Sequence, residues 1–263
     1  MAIENVLTVF TKPWKTQSIE EVGELASNLG FDGIELPVRP GFQVEPENVG
    51  RDLPLAAKAL EAYGVKIVSV AGPVDEPTVV ACGKAGVPII RTMARVMAGE
   101  SYTEAEARIQ SEYDAIVPAC ETHGVTIGVQ NHLGRFVANA VGLRHLIGKY
   151  DPRHVAAVWD AAHEAVNGSE PDLALDVVWP MLCMVNLKNA IWRQVNGPEA
   201  EVAEWKLHWT DGPHGLADWP RVVALLQERG YKGPICLTAE YSDENAVERL
   251  IASDMAFFRS LTA

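Results

Sequence analysis

Four short apolar runs in this sequence end in residues able to do chemistry. The run Val125, Ile127, Val129 stops at Gln130-Asn131-His132, and the run 155–160 (VAAVWD) stops at Asp160, with His163 three residues on. Asn186 and Lys188 close a third run, 183–188 (CMVNLK), and Glu240 closes a fourth, 234–240 (PICLTAE). Carboxylates, an ammonium and imidazoles are the groups that move protons, stabilise a developing oxyanion or hold a metal ion. Two carboxylates brought into one small volume repel unless a cation, a shared proton or a hydrogen-bonded substrate separates them.

Each of these residues also has a plain structural reading. Asp160 suits the cap of a following helix. His163 fits a helix surface, and Glu240 a solvated position opening the Tyr241-Ser242-Asp243 loop. Lys188 could snorkel, with its stem on apolar surface and its ammonium in water. His132 could be a satisfied structural imidazole. Trp14, Trp192 and Trp209 follow strand-like runs, where an indole either packs or offers a face to a sugar ring.

The elements that would position these groups alternate along the whole chain. Strand-like runs occur at 5–10, 33–36, 66–71, 88–92, 125–130, 155–160, 183–188 and 234–240, separated by helical periodicity at 18–29, 51–63, 103–122, 217–229 and 243–260. Gly30, Gly64, Gly124 and Gly230 stand where helix C-caps are expected, and Ser18 with Glu21 fits a capping box. Eight strands alternating with helices predict an α/β parallel sheet closed into a (β/α)₈ TIM barrel. An open doubly wound sheet is the rival, but no Gly-rich phosphate fingerprint follows the first strand. Nothing divides the chain, so residues 1–263 read as one domain. The stretch 190–216 reads as a long irregular loop of the kind that is usually functional.

Side chains alternate along a strand, so parity assigns faces. Thr126, Gly128 and Gln130 share one face, as do Ala156, Val158 and Asp160; Met184, Asn186 and Lys188; and Cys236, Thr238 and Glu240. Glu35 has the same sense in the second strand. In a barrel these polar tips converge at the C-terminal mouth, where active sites of this architecture lie.

Bulk properties narrow the function classes. At 263 residues the chain can bury roughly three-quarters of its unfolded surface. Apolar residues make up 48% and charged residues 22%, an ordinary globular balance. A net charge of −13 without a Lys/Arg run argues against a nucleic-acid partner. No apolar stretch reaches membrane-span length, and MAIENVLTVF lacks the flank and core of a signal peptide, so a cytoplasmic protein is expected. Cys82, Cys120, Cys183 and Cys236 are scattered and read as reduced thiols.

The motifs resemble those of the sugar phosphate isomerase/epimerase family of xylose-isomerase-like TIM barrels. GFDGIEL (30–36) is similar to the second strand of that family, and GVQNH (128–132) to its fifth-strand Glu-Asn-His tip. VWDAAH (158–163) resembles the sixth-strand Asp-x-x-His motif, and VNLKNA (185–190) the seventh-strand His-x-Lys-Asp motif. The segment 212–241 resembles the last α/β unit, ending in Glu. The resemblance implies a divalent metal (Mn or Mg) held from strands five to eight, at Gln130, Asp160, Asn186 and Glu240. Gln130 stands where Glu is expected, Asn186 where His is expected, and Asn189 where an Asp follows the lysine. Amide oxygens are weak ligands for transition metals, so a weak or absent metal site is expected.

Carried over, the resemblance implies proton transfer next to the carbonyl of a small sugar, keto-sugar or sugar acid. Glu240 is the candidate base, with an imidazole partner at His132, His163 or His214, and Lys188 or a weak metal is the candidate electrophile; Glu240, Lys188 and His132 are the candidate catalytic groups. Glu35, Asn131, His163, Trp14, Arg193 and His214 are the candidate substrate contacts, and Arg39 and Arg91 also lie near strand tips. A lyase or dehydratase on a related sugar shares the same first step. A non-catalytic sugar-binding or assembly relative is the alternative, favoured by the three amides and opposed by Asp160, His163, Lys188 and Glu240. Barrels of this kind often pair, so a homo-oligomer is an open expectation.

Overall fold

The computed structural model describes residues 5–262. Eight parallel strands form a closed barrel: β1 (Leu7–Phe10), β2 (Gly33–Pro37), β3 (Lys66–Ala71), β4 (Ile89–Met93), β5 (Thr126–Gln130), β6 (Val155–Asp160), β7 (Leu182–Leu187) and β10 (Ile235–Leu237). Neighbours run β1-β10-β7-β6-β5-β4-β3-β2, so the last strand closes onto the first. Nine helices among the described residues cover or flank it: α1 (Ile19–Leu29), α2 (Val49–Leu60), α3 (Glu76–Ala85), α4 (Tyr102–His123), α5 (Ala140–Ile147), α6 (Ala161–Val166), α7 (Pro171–Val178), α8 (Trp219–Glu228) and α9 (Val247–Thr262). The eight strand runs expected from the sequence are all present.

Side-chain parity separates two cores. Phe10, Ala71, Ile89, Val158, Met184 and Cys236 pack together inside the barrel. The alternate residues, such as Ile34, Leu36, Ile90, Ile127, Val129 and Val185, join the larger core beneath the helices. Gly128 faces the inner group, where an added Cβ would lie 2.7 Å from Val158 Cγ2. A side chain at that level of β5 has no room, and the missing Cβ lets the inner layer close.

Local signals agree with the elements they start and stop. Ser18 and Glu21 form the capping box of α1, and Gly30 closes that helix at φ 80°. Gly124 does the same for α4 at φ 64°.

The segment 190–216 differs from its expectation. It contains an antiparallel hairpin, β8 (Asn189–Gln194) with β9 (Trp205–Thr210), outside the barrel sheet. Its arms follow β7 almost directly, so the hairpin rises from the barrel mouth and brings Trp209 back over it. The final strand is also shorter than the expected 234–240. It ends at Leu237, and Ala239 lies at φ 51°, the one non-glycine residue with positive φ among those described. A Cβ is disfavoured there, and such strain concentrates at functional positions. The turn it makes precedes Glu240 directly.

Candidate functional site at the barrel mouth

Asp160 and Asn186 lie within their strands, on the face that parity assigns them, whereas Glu240 lies beyond the end of β10 and reaches the mouth through the turn at Ala239, not by strand alternation. Asp160 ends β6, in register with Asn186 on β7, which is itself in register with Cys236 on β10. Asp160 is both helix cap and site residue, because its Oδ1 accepts the His163 backbone N–H at 3.0 Å while Oδ2 faces the mouth cluster. The two readings of this residue are compatible because a carboxylate has two oxygens.

Lys188 lies at the centre of the cluster. Its side chain is 6% exposed, and Nζ donates to Glu240 Oε2 at 3.1 Å and lies 3.5 Å from Asp160 Oδ2. The ammonium also sits 4.5 Å from the centroid of the Trp209 ring. A charge this deep is tolerable only when paired. Burial opposes protonation of Lys188, but Asp160 and Glu240 outweigh it and raise its pKa. Glu240 is further held by Lys12, whose Nζ donates to Oε1 at 2.5 Å. Burial favours the neutral acid, yet Lys188 and then Lys12 overcome it and bring Glu240 down to about 2. Glu240 is therefore held as a carboxylate between two ammonium groups.

Gln130 is 2% exposed and is used at both ends. Its Nε2 donates to Asp160 Oδ2 at 2.6 Å, and its Oε1 accepts from Arg91 Nη1. Arg91 in turn donates through Nε to Glu35 Oε1 at 2.6 Å, and Ser69 Oγ donates to the same oxygen at 3.1 Å. Burial disfavours the charge on Arg91, and Glu35 restores it, so its pKa is raised. The arginine also lies over Phe10, 4.7 Å from the ring centroid, with Arg39 at 5.8 Å from the same ring.

The imidazoles stack beside this network. His132 and His163 have ring centroids 4.0 Å apart, and His163 meets Trp209 edge-on at 5.4 Å. His163 Nδ1 accepts the Leu133 backbone N–H at 3.3 Å, which leaves the proton on Nε2, 3.9 Å from Asp160 Oδ2. Burial, then Lys188, keep this ring neutral by lowering its pKa strongly. His132 has the opposite tautomer. Its Nδ1 faces the Leu133 carbonyl oxygen at 2.8 Å and so carries the proton, leaving the Nε2 lone pair without a partner among the described residues. Burial lowers the pKa of His132 also.

Other expected site residues have different placements. Asn131 is fully enclosed: it donates to the Asp160 carbonyl at 3.2 Å and to Glu164 Oε2 at 3.1 Å, and accepts the Asp160 N–H at 2.7 Å. It fixes the β5 and β6 tips to one another. Trp14 is buried in the outer core but lines, with Lys12, Trp209 and Glu240, a cleft of about 740 Å³ opening beside the mouth. Arg193 lies exposed on the hairpin, opposite Lys206, and His214 is 72% exposed and paired with Asp211. Neither joins the cluster. Lys12 and Trp209 do, and Lys12 carried a legible signal, since it lies two residues beyond the first strand run.

The donor set does not fit a divalent metal. Among the described residues no three His, Cys, Asp or Glu side chains are grouped to hold one. Of the four positions implied by resemblance, the oxygens of Gln130, Asp160 and Glu240 already face N–H donors. The amide of Asn186, 1% exposed, is unpartnered among the described residues at both Oδ1 and Nδ2.

Comparisons with known proteins agree with this architecture. No curated protein matches the sequence. Among solved structures, the probable 3-DHS dehydratase AsbF from Bacillus anthracis is 18% identical with a TM-score of 0.71, covering 96% of this chain and 98% of that one. The 3-keto-D-glucoside 4-epimerase YcjR from E. coli is 13% identical with a TM-score of 0.72, covering 98% and 100%. A xylose isomerase-like TIM barrel protein from Mycobacterium smegmatis, solved in complex with magnesium, is 13% identical with a TM-score of 0.72, covering 98% and 97%. At these identities the likeness is one of fold. The family model described as xylose isomerase-like TIM barrel matches residues 24–261, and the chain belongs to that family.

Proposed function

We propose that this protein is an isomerase or epimerase that moves a proton next to the carbonyl of a small keto-sugar or sugar acid. The observation that carries the reading is the Lys188 ammonium, 6% exposed and held between Asp160 and Glu240 at the mouth. A carbon acid beside a carbonyl becomes acidic enough to deprotonate only when the developing enolate oxygen is stabilised, and a preorganised cation out of water does this well. Lys188 supplies the electrophile. His132 supplies the acceptor, as a neutral imidazole whose Nδ1–H is pinned to Leu133 and whose Nε2 lone pair is unpartnered among the described residues. Glu240 and Asp160 act as positioning residues that hold the ammonium. Asn186 offers a buried donor and acceptor to a substrate hydroxyl, and the Trp209 face lies alongside.

Arg39, half-buried beside Arg91 and without an ion-pair partner among the described residues, favours a sugar acid over a neutral sugar. Solvent deuterium entering a bound keto-sugar acid at the carbon beside its carbonyl is the expected result. Lys188→Met and His132→Gln should each slow that exchange at least a hundredfold while the ligand still binds. If a ligand binds the wild type yet never takes up deuterium, the protein is a binding relative and this reading fails. Loss of water from the exchanging substrate would identify the lyase version.

A further inference from the structure

We infer that in this barrel the Lys188 ammonium, at the position of the lysine in the resembled His-x-Lys-Asp motif, is the cation that Asp160 and Glu240 hold, with no divalent metal beside it. The electrophilic role of that ammonium rests on the proton-transfer reading above; its pairing with the two carboxylates does not. The oxygens at three of the four implied ligand positions are committed to N–H donors. Asp160 Oδ1 accepts from His163 N and Oδ2 from Gln130 Nε2, while Glu240 Oε1 accepts from Lys12 and Oε2 from Lys188. Gln130 Oε1 is turned to Arg91. A metal bound by Asp160 and Glu240 would stand against a buried ammonium only 3.5 Å and 3.1 Å from their oxygens, two positive charges sharing one pair of carboxylates.

The amides make sense in this light as a coordinated set. Gln130 presents its oxygen to a cation and its nitrogen to a carboxylate, which a Glu cannot do. A carboxylate there would oppose Asp160 across a 2.6 Å contact with no proton between them. Asn186 leaves the barrel without the imidazole a transition metal would select. Lys188 brings three N–H donors; one is spent on Glu240, and the longer Asp160 contact leaves donors for a substrate oxygen.

Direct titration with Mn²⁺, followed by the electron spin resonance of the free ion, tests this without any substrate. Wild-type protein should hold Mn²⁺ at least tenfold more weakly than Lys188→Met, in which Asp160 and Glu240 lose their shared cation. Lys188→Gln serves as the second variant if Lys188→Met does not fold. Mn²⁺ should also raise the melting temperature of the variant and leave the wild type unchanged. Wild type binding Mn²⁺ as tightly as the variant overturns the inference, and so does a variant that gains no affinity. Deuterium exchange by wild type in the presence of a chelator is the separate arm: its absence with a bound keto-sugar acid counts against the proton-transfer reading, whereas the Mn²⁺ result stands on its own.

Discussion

Gln130 and Asn189 are both amides where a carboxylate would set acceptor against acceptor. Asn189, 0% exposed, donates to the Gly212 and Ala217 carbonyls at 2.6 and 2.8 Å and accepts the Ala190 and Ala217 N–H groups at 3.0 and 2.8 Å. It anchors the loop after β9 to the base of the hairpin, and Gly215 passes so close that a Cβ there would lie 2.1 Å from Asn189 Oδ1. Asn189→Asp would leave a buried carboxylate facing two carbonyl oxygens. We expect it to lose about 2–4 kcal/mol of stability in chemical denaturation, the usual cost of an uncompensated buried polar change. A loss under about 0.5 kcal/mol would mean the carboxyl is accommodated as the neutral acid. The residue types at these positions were legible in the sequence, and parity put Gln130 inward. Their partners were not, because Arg91 and Asp160 reach Gln130 from separations of 39 and 30 residues. The same limit applies to Asn131, whose expected substrate contacts are taken up by the β6 tip and Glu164.

At the scale of elements, the barrel strands could be read because each is a short apolar run closed by a polar tip. The hairpin could not, because its arms are six residues each, largely polar at their outer ends, and separated by a loop that hides their pairing. What ties this region down is Asp254 on α9. Its Oδ1 accepts the Gly212 N–H and its Oδ2 the Tyr241 hydroxyl, both at 2.7 Å, so one carboxyl joins the loops after β9 and β10 that flank Glu240. Burial pushes Asp254 up from 3.8 to about 6. A carboxyl with a raised folded-state pKa stabilises the fold fully below its unfolded value, and that contribution is lost as pH rises through the folded value. The window here runs from about pH 4 to about pH 6. His163, buried and neutral, acts in the opposite sense as pH falls, so the informative quantity is a difference. Relative to Asp254→Asn, wild type should gain about 1 kcal/mol on going from about pH 7.5 to about pH 5, as the linkage relation gives for this shift. Parallel melting-temperature profiles for the two proteins across that range would show that Asp254 does not titrate there.

Across the whole molecule, charge is distributed against the net value. The chain carries −13, yet Lys12, Arg39, Arg91 and Lys188 gather at one end of the barrel. They come from the loop after β1, the loop after β2, β4 and the residue after β7, so no basic run marks them in sequence, and closure of the barrel alone brings them together. Among the described residues Arg39 has no ion-pair or side-chain hydrogen-bond partner. Burial and then the nearby Arg91 lower its pKa, the mark of a half-desolvated cation beside another. An anionic group entering the mouth would relieve that repulsion and accept a charge-assisted, bidentate contact. At physiological ionic strength charges more than about 8 Å apart are largely screened, so the acidic outer surface does little to oppose it. Calorimetric titration of keto-sugar acids and of the matching neutral keto-sugars should therefore separate two effects of Arg39→Gln. Affinity for the acids should fall about tenfold, roughly 1.4 kcal/mol, while the neutral sugars change by less than about twofold. An equal loss for both classes would show that Arg39 shapes the cleft through its guanidinium over Phe10, and that the positive mouth serves Lys188 rather than the substrate's charge.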